Sequence, residues 1–225
     1  MRRPCDVRES VLLMIPYVKQ VKDELLPQLS IRSLDPYEPV EVVFVPKPWR
    51  VVGAGNYAAV LLHPAEPDKV VKIYAEGRPG LPDEIQVYRK LGRHPAYSEC
   101  YYADDTFLVL KRLTGVTLYE CLRRGIRIPE RVITDIDKAL DYARKQGLNP
   151  HDVHGKNVMM IDGRGAVLDV SDFLKDEHCA MWDDFKRMYN LFYKPLLLRV
   201  TVPIPHPLLN MLRKGYRIIR KRGSS

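Results

Sequence analysis

The stretch Pro150-His151-Asp152-Val153-His154-Gly155-Lys156-Asn157 constrains this chain more than any other part of it. Asn149, Pro150, His151 and Asp152 together favour a loop, and that loop carries an Asp and an Asn five positions apart. Twelve residues after Asn157 stands Asp169, in Val167-Leu168-Asp169-Val170. The residues between read as a hairpin: apolar Val158 to Ile161, a turn Asp162-Gly163-Arg164-Gly165, then Ala166 to Leu168. Taken singly, Asp152 also suits an Asx-type turn, and Asn157 and Asp169 also suit ordinary turn and strand-end positions.

Such a set has a chemical use. Phosphoryl transfer from ATP needs one carboxylate near the acceptor hydroxyl, plus an amide oxygen and a second carboxylate to hold magnesium on the phosphates. Upstream segments follow in the order that chemistry would ask for. Val51-Val52-Gly53-Ala54-Gly55-Asn56-Tyr57-Ala58-Ala59-Val60 reads as strand-turn-strand. Its glycines would let backbone N–H groups close over phosphates with no side chain in the way, although Gly-x-Gly also occurs in many hairpins. Asp68 to Tyr74 is a strand with Lys72 central among apolar residues. A lysine there either points outward from a half-buried strand or sets an ammonium against the α- and β-phosphates, held by a helix glutamate. The candidate glutamate is Glu84, in the helical run Asp83 to Leu91 with Ile85, Tyr88 and Leu91 at helical spacing and Gly92 as its stop. Asp83 and Glu84 also suit a first helical turn, where carboxylates answer the helix dipole.

The ordered set Gly53/Gly55, Lys72, Glu84, Asp152, Asn157 and Asp169 resembles the protein-kinase-like superfamily, over about residues 45 to 190. Thr106 to Leu118 resembles the strand, hinge and following helix that join the two lobes of such proteins. His154 stands where eukaryotic protein kinases usually carry a lysine, so the likeness is to small bacterial, atypical serine/threonine-kinase-like proteins. The resemblance implies an α+β, two-lobed protein-kinase-like fold with a mainly β N-lobe and a reduced, mainly helical C-lobe. It implies ATP with Mg²⁺ or Mn²⁺ in the cleft between the lobes. Gly53, Ala54, Gly55, Asn56 and Val60 would cover the nucleotide. Lys72 and Glu84 would hold its phosphates, and backbone groups from Lys111 to Leu113 would meet the adenine. Asp152 would orient or deprotonate the acceptor hydroxyl, with Asn157 and Asp169 as metal ligands.

The sequence departs from that pattern in places. Ala58 stands where a third glycine is usual, and Lys111 where an acidic residue is common. Asp169-Val170-Ser171 replaces Asp-Phe-Gly, and no Ala-Pro-Glu follows. The long activation segment that docks peptide substrates is therefore missing or minimal. His151 and His154 bracket Asp152, which also admits a metal triad of two imidazoles and a carboxylate. The resemblance instead puts His151 beneath the loop and His154 near the phosphates.

Four regions are expected: an N-terminal helical extension over 1–37, the N-lobe over 38–113, the reduced C-lobe over 114–202 and a basic tail over 203–225. Residues 10 to 29 read as an amphipathic helix capped by Ser10, with Val11, Ile15, Val18, Val21, Leu25 and Leu29 as its stripe, bent at Pro16 and ended by Pro27. Val40 to Val45 is a strand. Leu118 to Arg124 and Pro129 to Gln146 are helices, the second turning Val132, Ile136, Leu140 and Ala143 inward. Met181 to Phe192 is a further helix. Its Asp183 and Asp184 fit either a solvated first turn or, by the resemblance, a brace that accepts backbone N–H bonds from the catalytic loop.

No apolar stretch approaches the ~18 residues of a membrane span, and Val11 to Ile15 is too short for a signal-peptide core. Cys5, Cys100, Cys121 and Cys179 are far apart, which suggests free thiols in a reducing cytoplasm rather than a disulfide framework or zinc site. The formal charge of +8 is unevenly placed. Arg199, Arg213, Lys214, Arg217, Arg220, Lys221 and Arg222 lie beyond Leu196 with no acid among them. In the tail, Leu208, Leu209, Leu212, Tyr216 and Ile219 recur at roughly helical spacing. Pro203, Pro205 and Pro207 precede most of them as a stiff link, so the tail suits an anionic partner: membrane, acidic protein or nucleic acid.

Two function classes remain open. One is an ATP- and magnesium-dependent phosphotransferase, serine/threonine protein kinase-like or acting on a small hydroxylated molecule. The other is a nucleotide-binding pseudokinase that serves as a regulatory or docking module. Lys72, Asp152, Asn157 and Asp169 together favour the first; the altered Asp169-Val170-Ser171 segment favours the second. The phosphate acceptor is not legible.

Overall fold

The computed structural model describes residues 7–35, 37–197, 202–205 and 207, the side chains of 7–13, 196 and 197 excepted. It divides into two compact units. Unit 1 comprises Met1–Leu113, Ala143–Pro150 and Val170–Asp176; unit 2 comprises Thr114–Tyr142, His151–Asp169 and Glu177–Ser225.

Unit 1 begins with α1 (Val7–Gln20), which contains Pro16. The chain then widens into a π-helical turn, Val21–Leu25, whose exit is marked by the Leu26 N–H donating to the Val21 carbonyl at 3.0 Å. Pro27 follows at once and prevents continuation. The buried stripe of this helix is Met14, Tyr17, Val21 and Leu25. Ile15, expected to face inward, is exposed. From Val11 to Ile15 every residue is apolar, so two adjacent stripes compete, and the sheet beneath selects one.

Two short strands, β1 (Ser30–Arg32) and β2 (Glu41–Phe44), pair antiparallel. The main sheet follows: β3 (Arg50–Ala54), β4 (Ala58–Leu62), β5 (Lys69–Tyr74), then α2 (Leu81–Leu91), β6 (Cys100–Ala103) and β7 (Phe107–Lys111). Its order is β3-β4-β5-β7-β6, antiparallel throughout. Alternate residues of a strand face opposite sides. Ala59 and Leu61, Val71 and Ile73, and Phe107 and Val109 form one core with Met14, Tyr17, Val21 and Leu25. The N-terminal helix is thus packed into the same core as the sheet. Lys22 fixes it further, reaching Asp104 at 2.9 Å and the Tyr102 hydroxyl at 3.3 Å. The opposite sheet face carries Val60, Lys72 and Leu108, in register across β4, β5 and β7.

Unit 2 contains β8 (Val116–Thr117), α3 (Leu118–Arg124), most of α4 (Glu130–Lys145), β9 (Val158–Ile161), β10 (Arg164–Val167) and α5 (Met181–Met188), which continues as a π-helical stretch over Tyr189–Leu197. The Thr117 hydroxyl caps α3, accepting from the Glu120 N–H at 3.2 Å. Val132, Ile136, Leu140 and Ala143 are all buried, as the helical spacing predicts. The β9–β10 hairpin turns on Asp162-Gly163 alone, both at positive φ (48° and 74°), the two-residue geometry that matches strand twist. Arg164 and Gly165, expected in the turn, are strand residues. A Cβ at Gly165 would run into the Val132 carbonyl oxygen and the Ile136 side chain, so this glycine serves close packing against α4 rather than a turn. The first part of the expected proline link also differs. The Ile204 N–H donates to the Leu122 carbonyl at 3.0 Å, and a Cβ at Gly125 would meet Pro203, so the link starts against the end of α3. The tail expected beyond it lies outside the described residues, Pro207 excepted.

Candidate active site

In unit 1, Lys72 projects from the sheet face opposite the α1 core, because its neighbours Val71 and Ile73 belong to that core. Helix α2 starts at Leu81 after Gly80, whose φ of 110° turns the chain, and its first turn delivers Glu84. The Lys72 ammonium lies 2.9 Å from Oε1 and 2.8 Å from Oε2 of Glu84. The Tyr74 hydroxyl donates to Oε2 at 2.5 Å. Glu84 is only 1% exposed, and a carboxylate that deep requires paired donors. The surface-dipole alternative for Glu84 therefore does not describe it. Tyr74 was not singled out from sequence, although two residues beyond Lys72 on one strand it necessarily shares the lysine's face.

The glycine-rich hairpin is formed by β3 and β4, with the register shifting between Val51 and Gly53 so that Val52 bulges. Gly53 faces Val60 and Ala54 faces Ala59. The Gly55 N–H donates to the Ala58 carbonyl and its own carbonyl accepts from Val40, each at 2.9 Å. Asn56 Nδ2 reaches the Tyr37 carbonyl at 3.4 Å. A Cβ at Gly55 would meet nothing within 4 Å, and one at Gly53 would make only ordinary contact with Val60. Neither glycine is demanded by packing within the chain. At the end of β7 the Lys111 N–H donates to Glu99 O and its carbonyl accepts from the Ser98 hydroxyl, at 2.8 and 2.7 Å, while the Arg112 N–H donates to Asp68 O at 2.8 Å. Of the hinge groups, the Arg112 carbonyl and the Leu113 backbone have no hydrogen bond among the described residues.

In unit 2, Asp152 has φ +53°, a left-handed conformation that Asp and Asn tolerate better than most residues. Asn157 Nδ2 donates to the Asp152 carbonyl at 3.0 Å and to its Oδ2 at 3.2 Å. The amide nitrogen is thereby spent on the loop, and the Asn157 side-chain oxygen is turned to other use. The Asn157 carbonyl accepts from the Leu168 N–H at 2.8 Å and the Asp169 N–H at 3.4 Å. The hairpin thus returns Asp169 to the Asn, as the twelve-residue spacing predicts. His154 Nδ1 accepts from the Lys156 N–H at 3.2 Å, so the neutral ring carries its proton on Nε2, the nitrogen 3.7 Å from Asp152 Oδ2. Among the described residues no three His, Cys, Asp or Glu side chains group as a metal site, so the triad of two imidazoles and Asp152 is not formed.

Gly155 was also missed. Its carbonyl accepts from the Tyr119 N–H at 2.7 Å, and a Cβ there would press on Phe185 at 3.3 Å. The loop is clamped by α3 and α5 through a residue whose lack of side chain is the only signal. Asp183 is 57% exposed and ion-paired with Lys186 at 3.2 Å, whereas Asp184 is 18% exposed. The solvated reading therefore fits Asp183. Of the thiols expected to be free, Cys100, Cys121 and Cys179 are so, and Cys5 lies outside the described residues. Burial pushes the Cys100 thiol up to about 12 and Cys121 to about 11, which makes them poor nucleophiles. No described helix is long and apolar enough to cross a membrane.

No family model matches the chain. A Bacillus subtilis (strain 168) protein named "Putative serine/threonine-protein kinase YrzF" is 35% identical to it over 121 residues, which are 53% of this chain and 56% of that protein. The chain thus spans little more than half the length of that relative. A crystal structure of Rad53 1-466 in complex with AMP-PNP superposes with a TM-score of 0.45 at 21% identity, over 63% of this chain and 38% of that one, a likeness too loose to bear on ligands. Residue order, the antiparallel sheet with its lysine–glutamate pair and this relative agree: the chain is protein-kinase-like.

Proposed function

We propose that the chain is an ATP-dependent phosphotransferase, closest in kind to serine/threonine protein kinases. The observation that carries the reading is the Lys72–Glu84 pair, with both carboxylate oxygens within 2.9 Å of the ammonium on a sheet face where a lysine has no structural reason to be. Lys72 would meet the α- and β-phosphates, under backbone N–H groups of the Gly53–Asn56 turn. Val60, in register with Lys72, would pack beside the base, and the Arg112 carbonyl and Leu113 would bond the adenine in place of the engaged Lys111 groups. In unit 2, Asp152 would align the acceptor hydroxyl and take its proton. The Asn157 amide oxygen and the Asp169 carboxylate are hard oxygen donors of the kind Mg²⁺ or Mn²⁺ accepts, and the ion would neutralise charge on the phosphates. Asp184 would brace the loop.

Thermal unfolding with and without ATP and magnesium tests the nucleotide half, since a ligand bound only by the native state raises the midpoint with the logarithm of its concentration. Incubation with radiolabelled ATP, alone and with cell extract, tests transfer. An unmoved midpoint with no calorimetric binding would overturn the reading. A second reading, a nucleotide-binding pseudokinase, draws on the ten residues from Ser171 to Ala180 that alone separate Val170 from α5 and hold no helix or strand. It predicts binding without transfer. A small hydroxylated acceptor is favoured by the same short segment, which offers no platform for a peptide.

A further inference from the structure

Helix α5 and its π-helical continuation present Met188, Leu191 and Phe192 to solvent, at 42%, 67% and 53% exposure. Their spacing of three and one puts them on a single helical face. Val202, 51% exposed, continues the apolar surface in the segment that follows. Directly after these residues come the seven cations from Arg199 to Arg222, with no acid among them. We infer that this face of unit 2, together with the basic tail, is a docking surface for an anionic lipid membrane.

Two independent observations agree on that occupant. An exposed apolar row loses free energy in water and gains it in the acyl region of a bilayer. A cluster of lysine and arginine next to it answers the negative potential of an anionic leaflet, each cation strengthening binding on the order of fivefold near the surface. RNA would answer the charge but has no use for Leu191 and Met188, and single-strand binding asks for aromatic platforms interleaved with the cations. Beyond Leu196 the sequence offers only Tyr216. The inference is independent of the phosphotransferase reading, because none of these residues is in the proposed chemistry.

The test uses the full-length chain with vesicles of phosphatidylcholine alone or mixed with phosphatidylglycerol, scored by flotation at low and high salt. Binding to the mixed vesicles only, weakened by salt, is expected. Reversing Arg213, Lys214 and Arg217 to Glu should weaken it about a hundredfold or more, three cations at roughly fivefold each being lost. Leu191→Glu with Phe192→Glu should also release the protein while leaving its melting temperature unchanged, both side chains being exposed. Charge reversal is preferable to truncation after Val202, which would also remove the Ile204 contact with α3. No vesicle binding, or equal binding to neutral vesicles, overturns the inference. So does binding that survives the Leu191/Phe192 change. Polyuridylate or polyglutamate bound in preference to vesicles would assign the tail to nucleic acid or to an acidic protein. Self-association abolished by Leu191→Glu with Phe192→Glu would assign the apolar row to a second copy of the chain. Each of these results also sinks the membrane assignment.

Discussion

Replacing Lys72 with Met leaves Glu84 in place, 1% exposed, with the Tyr74 hydroxyl as its one remaining donor among the contacts above. Removing one partner of a buried pair costs about 3–5 kcal/mol, mostly because an uncompensated charge remains. Lys72 itself is 12% exposed, so water can reach part of the site, and about 3 kcal/mol is the appropriate end of that range. For a chain of this size each kcal/mol moves the midpoint by about 2–4 °C, so the variant should melt about 6–12 °C lower. The gap should narrow toward acid, where the orphaned carboxylate can take up a proton before the paired one does. Lys72→Met with Glu84→Gln keeps an acceptor for Tyr74 and removes the charge, and should recover more than half of the loss. The assay is thermal denaturation of the three proteins without nucleotide, by circular dichroism and calorimetry. If Lys72→Met melts within about 2 °C of wild type, less than 1 kcal/mol by the same conversion, the pair contributes nothing and its geometry is no argument for a retained site. If the double variant is as unstable as the single one, the loss comes from packing of the lysine stem rather than from the charge.

Gly55→Ala should fold like wild type, since its Cβ meets nothing, yet weaken ATP binding by about tenfold or more if the turn closes on phosphates; titration calorimetry decides. Asp152→Asn should abolish transfer of label from ATP while leaving the nucleotide-induced thermal shift, and equal activity in both proteins would point to another catalytic group. Burial pushes the Asp104 carboxyl up, but hydrogen bonds from Thr106, Lys22 and Phe107 outweigh it and hold the group well below the usual carboxylate range. A depressed native pKa stabilises above the unfolded value near 4 and is lost as pH falls through the native one. Asp104→Asn should therefore cost about 2 kcal/mol at neutral pH, and the difference from wild type should shrink in urea titrations below about pH 4.

How much of this was legible in the sequence depends on whether the deciding contact is local. The α4 stripe, the stop at Gly92 and the Lys72 strand follow from spacing alone, because one face of each is buried and period does the rest. The choice between Ile15 and Met14 on α1 does not, because both stripes are apolar and only the sheet below separates them. Gly165 shows the same limit more sharply. Beside Asp162-Gly163-Arg164 it reads as a turn glycine, but what forbids a side chain there is the backbone of Val132, thirty-three residues away. Its replacement by Ala should therefore unfold or severely destabilise unit 2, an overpacking cost of about 1–3 kcal/mol or more, whereas Gly163→Ala, with no neighbour within 4 Å and only its φ of 74° to oppose it, should cost about 1 kcal/mol.

The catalytic loop combines both kinds of information. Asp152 adopts φ +53°, which its residue type permits, and Asn157 then reaches back to bond both its carbonyl and its carboxylate. That much is written in a five-residue spacing. What holds the loop in place is not: Gly155 is fixed by Tyr119 and Phe185, one before it by thirty-six residues and the other after it by thirty. A Gly155→Ala variant separates the two contributions. Pressing on the Phe185 ring at 3.3 Å should displace the loop while leaving Asp152 and Asn157 chemically intact. If the proposed function is right, transfer should then fall at least tenfold, with the thermal shift by ATP and magnesium reduced far less, since the nucleotide contacts of unit 1 are untouched. Full transfer activity in Gly155→Ala would mean that the clamp is not what positions Asp152.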